Sequence, residues 1–135
     1  MPSPVRVAAA LVFRAGRLLI AQRPLDKHLG GLWEFPGGKL EDGESYPDCL
    51  ARELREELGI EVDVGRMIAA VEHCYPEKLV RIQFYRCTLR SGEPQPLECA
   101  DLEWVTEGDL EQFVFPPADA GLLKQLRDDP EIWDS

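Results

Sequence analysis

The feature that most constrains this chain of 135 residues is a short helical segment crowded with glutamates. Glu53, Glu56 and Glu57 stand at positions i, i+3 and i+4, so their carboxylates project from one helix face. At an effective dielectric of about 20, two carboxylates about 5.5 Å apart repel by roughly 3 kcal/mol before relaxation. The last two also lie in the final turn, where the helix dipole disfavours negative charge. The cluster does little for the helix and therefore predicts a divalent cation held by carboxylate oxygens and water.

The residues around this cluster define the helix that carries it. Ser45 is predicted to cap its beginning through Ser45-x-x-Asp48, and Gly59 is predicted to end it as the C′ residue. An apolar stripe repeats every four residues and consists of Leu50, Leu54 and Leu58. Because the acidic face lies beside a face that must be buried, the carboxylates are predicted to line the edge of a groove.

Size and charge narrow the class of protein. We interpret residues 1–135 as a single domain with one substantial core. The formal net charge of −10 argues against DNA or RNA as a partner, because polyanion binding relies on clusters of Lys and Arg. It remains compatible with a small anionic substrate, since a bound metal reverses the local field.

Cysteine usage and the N-terminal residues indicate a compartment. The four cysteines form no CxxC pair, and we interpret them as reduced thiols of a cytoplasmic protein; they are Cys49, Cys74, Cys87 and Cys99. The apolar run at the N-terminus lacks a preceding basic region and is too short to span a bilayer. We therefore expect no signal peptide and no membrane partner.

The order of hydrophobic segments predicts the fold class. Strands are predicted at 5–13, 17–23, 32–35, 60–64, 67–74, 79–89 and 102–105, with turns at 15–16, 37–38 and 75–78. Besides the glutamate helix, we predict a brief helix after Thr106 and a last helix at 118–127. This is an α/β (α+β) pattern, a mixed sheet with a helix on either side.

The central stretch has a spacing that resembles a known signature. It reads Gly38, five residues, Glu44, seven residues, Arg52-Glu53-Leu54, one residue, Glu56-Glu57, one residue, Gly59-Ile60. This is similar at every fixed position to the signature of the Nudix hydrolase family. The flanking GLWEFPGGK at 31–39 and FPPAD at 115–119 resemble the MutT branch, so the resemblance covers nearly the whole chain.

The resemblance implies a fold and an activity. The expected fold is an α/β/α sandwich that holds the signature as loop, helix and loop. The expected reaction is Mg²⁺-dependent hydrolysis of a nucleoside diphosphate linked to another group, with Mn²⁺ able to substitute. A MutT-like enzyme would convert an oxidised nucleoside triphosphate such as 8-oxo-dGTP to the monophosphate and pyrophosphate, which sanitises the nucleotide pool.

The resemblance also assigns roles to residues. The implied metal ligands are Glu53, Glu56, Glu57, the Gly38 carbonyl and an additional carboxylate at Glu98. Arg52 would orient Glu53, while Glu44 and Gly59 would support the signature loop and helix. Either Glu53 or Glu98 can serve as the base that takes a proton from the attacking water, and the sequence does not choose between them.

Substrate contacts are predicted outside the helix. Arg23, Lys39 and Lys78 are candidates for the anionic part of the substrate, and Phe35 is a candidate for an apolar wall against the base. Asp119 occupies the position where MutT-like enzymes often have Asn. An ionised Asp accepts hydrogen bonds only and so prefers an amino group such as N4 of cytosine, whereas a protonated Asp can donate to O6 of guanine.

Several alternatives stay open. A pyrimidine triphosphate such as CTP or dCTP is an alternative substrate, supported by Asp119. A non-catalytic reader of oxidised guanine is disfavoured because every signature glutamate is present. Ordinary roles compete as well: Asp119 as a helix N-cap, Glu98 as a solvated carboxylate, and Trp33 and Trp104 as core or groove-wall aromatics. The expected partner is a small nucleotide, and the protein could be a monomer or a homodimer.

Overall fold

The computed structural model describes residues 4–133 and shows a mixed sheet with a helix on each face. The strands are β1 (Val5–Arg14), β2 (Arg17–Gln22), β3 (Trp33–Glu34), β4 (Gly37–Lys39), β5 (Glu61–Tyr75), β6 (Lys78–Ser91) and β7 (Asp101–Val105). The helices are α1 (Tyr46–Leu58) and α2 (Ala120–Asp128). Three short 3₁₀ turns cover Glu107–Gln112, Pro117–Asp119 and Pro130–Trp133.

Strand β1 is the centre of the sheet. It pairs in parallel with β6, from Val5 opposite Val80 to Phe13 opposite Thr88, and antiparallel with β2 and β4. The main order of strands is β3-β2-β1-β6-β5, with β7 paired to β2. Because both faces of β1 are covered, its sequence is an almost continuous apolar run.

Alternation along β1 divides the core into two layers. Ala8, Ala10 and Val12 face α1 and pack with its buried residues Cys49, Leu50, Leu54 and Leu58. Leu11 and Phe13 face the opposite side and belong to the cluster that contains Leu122 and Leu126 of α2. The predicted arrangement of helix, mixed sheet and helix is confirmed, and Trp33 and Trp104 pack against these two cores as expected.

The ends of α1 follow the sequence signals. The Ser45 hydroxyl accepts a hydrogen bond from the Asp48 backbone N–H at 3.2 Å. Gly59 ends the helix in the left-handed region at φ 69°, and its N–H donates to the Arg55 carbonyl at 3.0 Å. A side chain at this φ would be strained, which explains the glycine.

The predicted turn at Gly37-Gly38 is wrong. These residues form β4, which pairs with β1 so that Gly38 lies opposite Ala8 and Gly37 opposite Ala9. A Cβ at position 37 would collide with the Ala8 backbone. The two glycines therefore permit close approach of two strands, a requirement that looks the same as a turn signal in sequence.

Other boundaries also differ from the predictions. The segments predicted at 60–64 and 67–74 form one strand, β5, because β-bulges between Val64 and Ala69 absorb the irregularity. The last helix begins at Ala120 after the 3₁₀ turn Pro117–Asp119, and the brief helix after Thr106 is the 3₁₀ turn Glu107–Gln112. All four cysteines are free thiols. Within residues 4–133, no helix is long and apolar enough to cross a membrane.

Candidate active site

Arg52 joins the helix α1 to the loop that precedes it. Its Nε donates to Glu44 Oε2 at 2.7 Å, and its Nη1 donates to Glu53 Oε1 at 2.8 Å. Its Nη2 also donates to the Lys39 carbonyl at 3.3 Å. The Arg52 guanidinium and the Glu41 N–H lower the pKa of the Glu44 carboxyl to about 2. The side chain of Glu53 is thus held by an arginine that is itself fixed by the loop.

Gly38 brings the β4 backbone against the Glu53 carboxylate. A Cβ at position 38 would lie 2.6 Å from Glu53 Oε2, so any other residue would displace that side chain. The buried Cys49 thiol donates to the Gly38 carbonyl at a sulfur–oxygen distance of 3.5 Å. Burial raises the pKa of Cys49 to about 12, which keeps the thiol protonated and able to donate.

Glu57 lies where negative charge is least compensated. Its pKa is raised to about 9, first by burial and then by the hydrogen bond and charge of Glu53 and the charges of Glu34 and Glu98. The Leu97 N–H donates to the Glu57 carbonyl at 3.2 Å, which ties the loop carrying Glu98 to the end of α1. Glu98 is exposed, and Glu56 is half-exposed with its carboxylate 3.3 Å from Arg52 Nη1.

A cavity of about 310 Å³ contains all the predicted substrate contacts, namely Arg23, Phe35, Lys39, Lys78 and Asp119. Phe35 stacks on Phe115 with ring centroids 5.2 Å apart and meets Phe84 edge-on at 6.0 Å. Phe35 and Phe84 give the cavity an apolar wall, and the three cations line the cavity as well.

Two segments that are distant in sequence meet at the lining of the cavity. Arg23, in the loop after β2, donates to Glu34 Oε1 at 2.9 Å and to the His28 carbonyl at 2.8 Å. Tyr75, at the tip of the β5–β6 hairpin, meets the His28 ring edge-on at 5.8 Å and lies 5.8 Å from Lys78 Nζ. Contact between the loop and the hairpin tip thus closes one side of the cavity.

Asp119 lines the floor of the cavity and is buried, with 6% of its surface exposed. It occupies the N-cap position of α2, but its side chain makes no capping hydrogen bond. The interpretation of Asp119 as an ordinary cap is therefore wrong. Burial and the nearby charge of Glu34 raise the pKa of Asp119 to about 7, so its carboxyl titrates near neutral pH.

Comparison with known proteins identifies the family. The family model described as the NUDIX domain matches residues 8–125. The chain belongs to the Nudix family.

Individual Nudix relatives resemble the chain over most of its length. CTP pyrophosphohydrolase of Escherichia coli is 38% identical over 120 residues, which is 89% of both chains. The 8-oxo-dGTP diphosphatase of Proteus vulgaris is 42% identical over 62% of this chain and 76% of that protein. The E. coli ORF135 protein, 37% identical, has a TM-score of 0.78 over 93% of this chain and 90% of its own. A MutT Nudix hydrolase from Burkholderia pseudomallei, 28% identical, has a TM-score of 0.83 over 93% and 99%.

Membership of the Nudix family indicates the reaction that the chain catalyses and its general need for a metal. As a Nudix hydrolase, the chain is an enzyme that hydrolyses pyrophosphate bonds, and enzymes of this family generally need a divalent metal. Within residues 4–133, no three His, Cys, Asp or Glu side chains already form a group arranged to hold a metal ion. The donor chemistry nevertheless fits. Glu53 and Glu98 act on the Glu57 carboxyl, whose pKa burial and repulsion raise, and the three side chains offer the oxygen ligands that a hard divalent cation prefers.

Glu34 is the residue of this Nudix site that the sequence reasoning missed. Its charge raises the pKa of both Glu57 and Asp119, and it lines the cavity together with Asp119. Burial raises the pKa of Glu34 itself, against the opposing effect of Arg23. The available signal was an acid between Trp33 and Phe35, two large aromatic residues in an otherwise apolar segment.

Proposed function

We propose that this enzyme hydrolyses nucleoside triphosphates, with 8-oxo-dGTP as the expected substrate, to the monophosphate and pyrophosphate. The observation that carries the proposal is that one cavity joins Asp119 and Phe35 at its floor to Lys39, which follows Gly38 beside the glutamate helix. Relatives named 8-oxo-dGTP diphosphatase and CTP pyrophosphohydrolase support this substrate class. The enzyme would thereby remove oxidised nucleotides from the precursor pool.

The proposed cofactor is Mg²⁺, for which Mn²⁺ can substitute. The residues that would hold it are Glu53, Glu56, Glu57, Glu98 and the Gly38 carbonyl. When bound, the metal would supply charge neutralisation at the phosphate oxygens and a more acidic water.

The chain's own residues have distinct proposed roles around this chemistry. Arg52 positions Glu53, since it donates to Glu53 while anchored by Glu44 at 2.7 Å. Glu53 or Glu98 accepts the proton of the attacking water, and Gly59 fixes the end of α1 that carries Glu57. Arg23, Lys39 and Lys78 bind the anionic part of the nucleotide, and Phe35 packs against the base.

A second candidate substrate is a pyrimidine triphosphate of the CTP or dCTP type. Asp119 favours it, because an ionised carboxylate in an apolar pocket accepts a hydrogen bond from the N4 amino group and offers nothing to the O6 of guanine. The protonated carboxyl can donate to O6, and a pKa of about 7 allows both states near neutral pH.

The test is pyrophosphate release from a panel of nucleotides that includes 8-oxo-dGTP, dGTP, CTP and dCTP in the presence of Mg²⁺. We expect 8-oxo-dGTP to have the highest kcat/KM. Faster turnover of CTP or dCTP than of 8-oxo-dGTP would show that the enzyme prefers a pyrimidine triphosphate. No turnover of any of these triphosphates would contradict the proposed substrate class, and binding of 8-oxoguanine nucleotides without turnover is the result expected of a non-catalytic reader.

The proposal extends to the context in which the enzyme works. We propose that residues 1–135 act as a single domain on a small nucleotide and bind neither nucleic acid nor membrane, in keeping with the net charge of −10. We further propose a cytoplasmic monomer or homodimer with reduced thiols. Analytical ultracentrifugation and a filter-binding assay with single-stranded and duplex DNA test these statements, and DNA retention at physiological salt contradicts them.

A further inference from the structure

A second cavity, of about 480 Å³, lies beside the active site at the beginning of β1. We call it the basic groove, because its walls include Arg6, Lys39 and Arg81, with Asp42 as its acidic residue. The walls come from β1, from β6 and from the loop between β4 and α1. Three cations and one carboxylate line the groove, so its local charge is positive although the protein has a net charge of −10.

The two arginines of the groove lie opposite each other on neighbouring strands, and their repulsion disfavours the sheet. Arg6 and Arg81 are direct partners in the parallel β1–β6 pair, so their side chains share one face. Like charges directly opposite each other on neighbouring strands destabilise a sheet. Arg81 is compensated by an ion pair with Glu72, but Arg6 has no ion pair with any residue in 4–133. An anion in the groove would compensate Arg6.

The groove shares two lining residues with the active-site cavity. Val5 and Lys39 line both, and the Lys39 ammonium group likewise has no ion pair within the described part of the chain. Lys39 directly follows Gly38, and its carbonyl accepts a hydrogen bond from Arg52. An anionic chain that leaves the active site at Lys39 therefore enters a region of positive potential.

We propose that the basic groove is a second anion subsite, which takes the terminal phosphoryl groups of the reaction, either the outer phosphate of the bound triphosphate or the released pyrophosphate. The proposal rests on the proposed triphosphate hydrolysis for the identity of its ligand. Arg6 and Arg81 would donate charge-assisted hydrogen bonds to phosphate oxygens, while Lys39 would link the subsite to the active site.

The first experiment measures binding of inorganic pyrophosphate alone by calorimetry, with EDTA present so that the glutamate cluster repels the anion. Arg6→Gln is expected to weaken pyrophosphate binding about fivefold to tenfold, as for one partly exposed charge-assisted contact, and Arg6→Gln/Arg81→Gln more strongly. Arg66→Gln is the matched control, because Arg66 is an exposed arginine of β5 outside both cavities. Equal pyrophosphate affinity in Arg6→Gln, Arg66→Gln and the unmodified protein overturns the proposal.

Steady-state kinetics distinguish the two sources of the phosphoryl groups. A higher KM for the triphosphate with unchanged kcat in Arg6→Gln assigns the groove to the outer phosphate. A higher inhibition constant for pyrophosphate with unchanged KM assigns it to the product. If neither constant changes although pyrophosphate binding has weakened, the groove has no part in the reaction and the proposal is wrong.

The outcome is separable from that of the proposed function. Glu53→Gln should abolish turnover, whereas pyrophosphate binding in EDTA should keep its dependence on Arg6, since Glu53 lies outside the groove. Pyrophosphate binding that depends on Arg6 in a protein that hydrolyses no triphosphate would refute the proposed function alone. Normal hydrolysis with pyrophosphate binding independent of Arg6 would refute the subsite alone.

Discussion

The two ends of the signature differ in how their charges are compensated. At the loop end, Glu44 accepts hydrogen bonds from Arg52 and from the Glu41 N–H, and its pKa falls to about 2. At the helix end, Glu57 is surrounded by Glu53, Glu34 and Glu98, and its pKa rises to about 9. The fold therefore compensates the negative charge at the loop end with its own arginine and leaves an uncompensated excess of negative charge at the helix end. A site that binds a cation requires such an excess.

The largest expected effect comes from removing one charge at the helix end. Glu53→Gln keeps the shape of the side chain but removes a carboxylate, and we expect activity to fall at least about 100-fold, because a metal-positioning group is lost. Pyrophosphate release in the presence of Mg²⁺ measures it. Glu103→Gln, on the exposed side of β7, is the control and should leave activity unchanged. Near-normal activity of Glu53→Gln would contradict the proposed role of α1 in holding the metal.

The loop end is tested by replacing its arginine. Arg52→Lys retains one charge but cannot bond Glu44, Glu53 and the Lys39 carbonyl together, so we expect an activity loss of about 10- to 100-fold, as for groups that orient metal ligands.

A matched control uses an arginine whose ion pairs are exposed. Arg90→Lys should retain activity, because the Arg90–Asp63 contact at 3.3 Å is a surface ion pair. The variants are compared by kcat and by the Mg²⁺ concentration at half-maximal rate. Equal effects of the two substitutions would show that Arg52 does not position Glu53.

The cavity floor extends the comparison to base recognition. As Asp119 ionises with rising pH through about 7, its ability to donate to the O6 of guanine is lost while its ability to accept from N4 of cytosine remains. We expect the ratio of kcat/KM for CTP to that for 8-oxo-dGTP to rise about tenfold from acidic to alkaline pH, because a tenfold change corresponds to the free energy of about one hydrogen bond.

The use of a ratio cancels pH effects common to both substrates, such as those of the metal ligands. Asp119→Asn should abolish the pH dependence of the ratio and shift preference towards 8-oxo-dGTP. The exposed substitution Asp63→Asn should leave the dependence unchanged. If the pH dependence of the ratio persists in Asp119→Asn, a group other than Asp119 causes it.

The remaining expected effect is on the stability of the metal-free protein. A carboxyl whose pKa is raised on folding binds more protons in the folded state than in the unfolded state, so stability falls as pH rises. For Glu57 the window runs from the ordinary value of 4.5 to about 9. We expect Tm in EDTA to decrease across this window, and Glu57→Gln to flatten the decrease.

Metal addition should oppose this trend. Because Mg²⁺ and protons compete for the same carboxylates, the rise in Tm on adding Mg²⁺ should be larger at pH 8.5 than at pH 6. Differential scanning fluorimetry at the two pH values measures it, with Ca²⁺-free buffers and EDTA as the reference. An increase in Tm that is independent of pH would show that the metal does not bind the carboxyl that carries the raised pKa.

Local signals made much of the fold and site predictable. The spacing of Glu53, Glu56 and Glu57, the cap at Ser45 and the left-handed Gly59 depend on neighbours within two helical turns, which the sequence displays directly. The apolar runs likewise predicted the mixed sheet with a helix on either side, but the single core expected from the length of the chain is divided by the sheet into two clusters. Predictions failed at Gly37-Gly38 and along β5, where strand pairing selected one of two conformations that local preference allows equally. They also failed at the start of α2, where Asp119 makes no capping hydrogen bond.

Tertiary structure decided what the sequence could not. The closeness of Glu34 to Glu57 and Asp119, the contact of Gly38 with Glu53 and the pairing of Arg6 with Arg81 join residues far apart in the chain. Each depends on a strand register that burial of the sheet faces fixes. The pairing of β3 with β2 places Glu34, that of β4 with β1 places Gly38, and that of β1 with β6 places Arg6 opposite Arg81. The sequence by itself determined which carboxylates share a helix face; only the fold determined how many other charges surround them, because burial and through-space distance set the free energy of a charge.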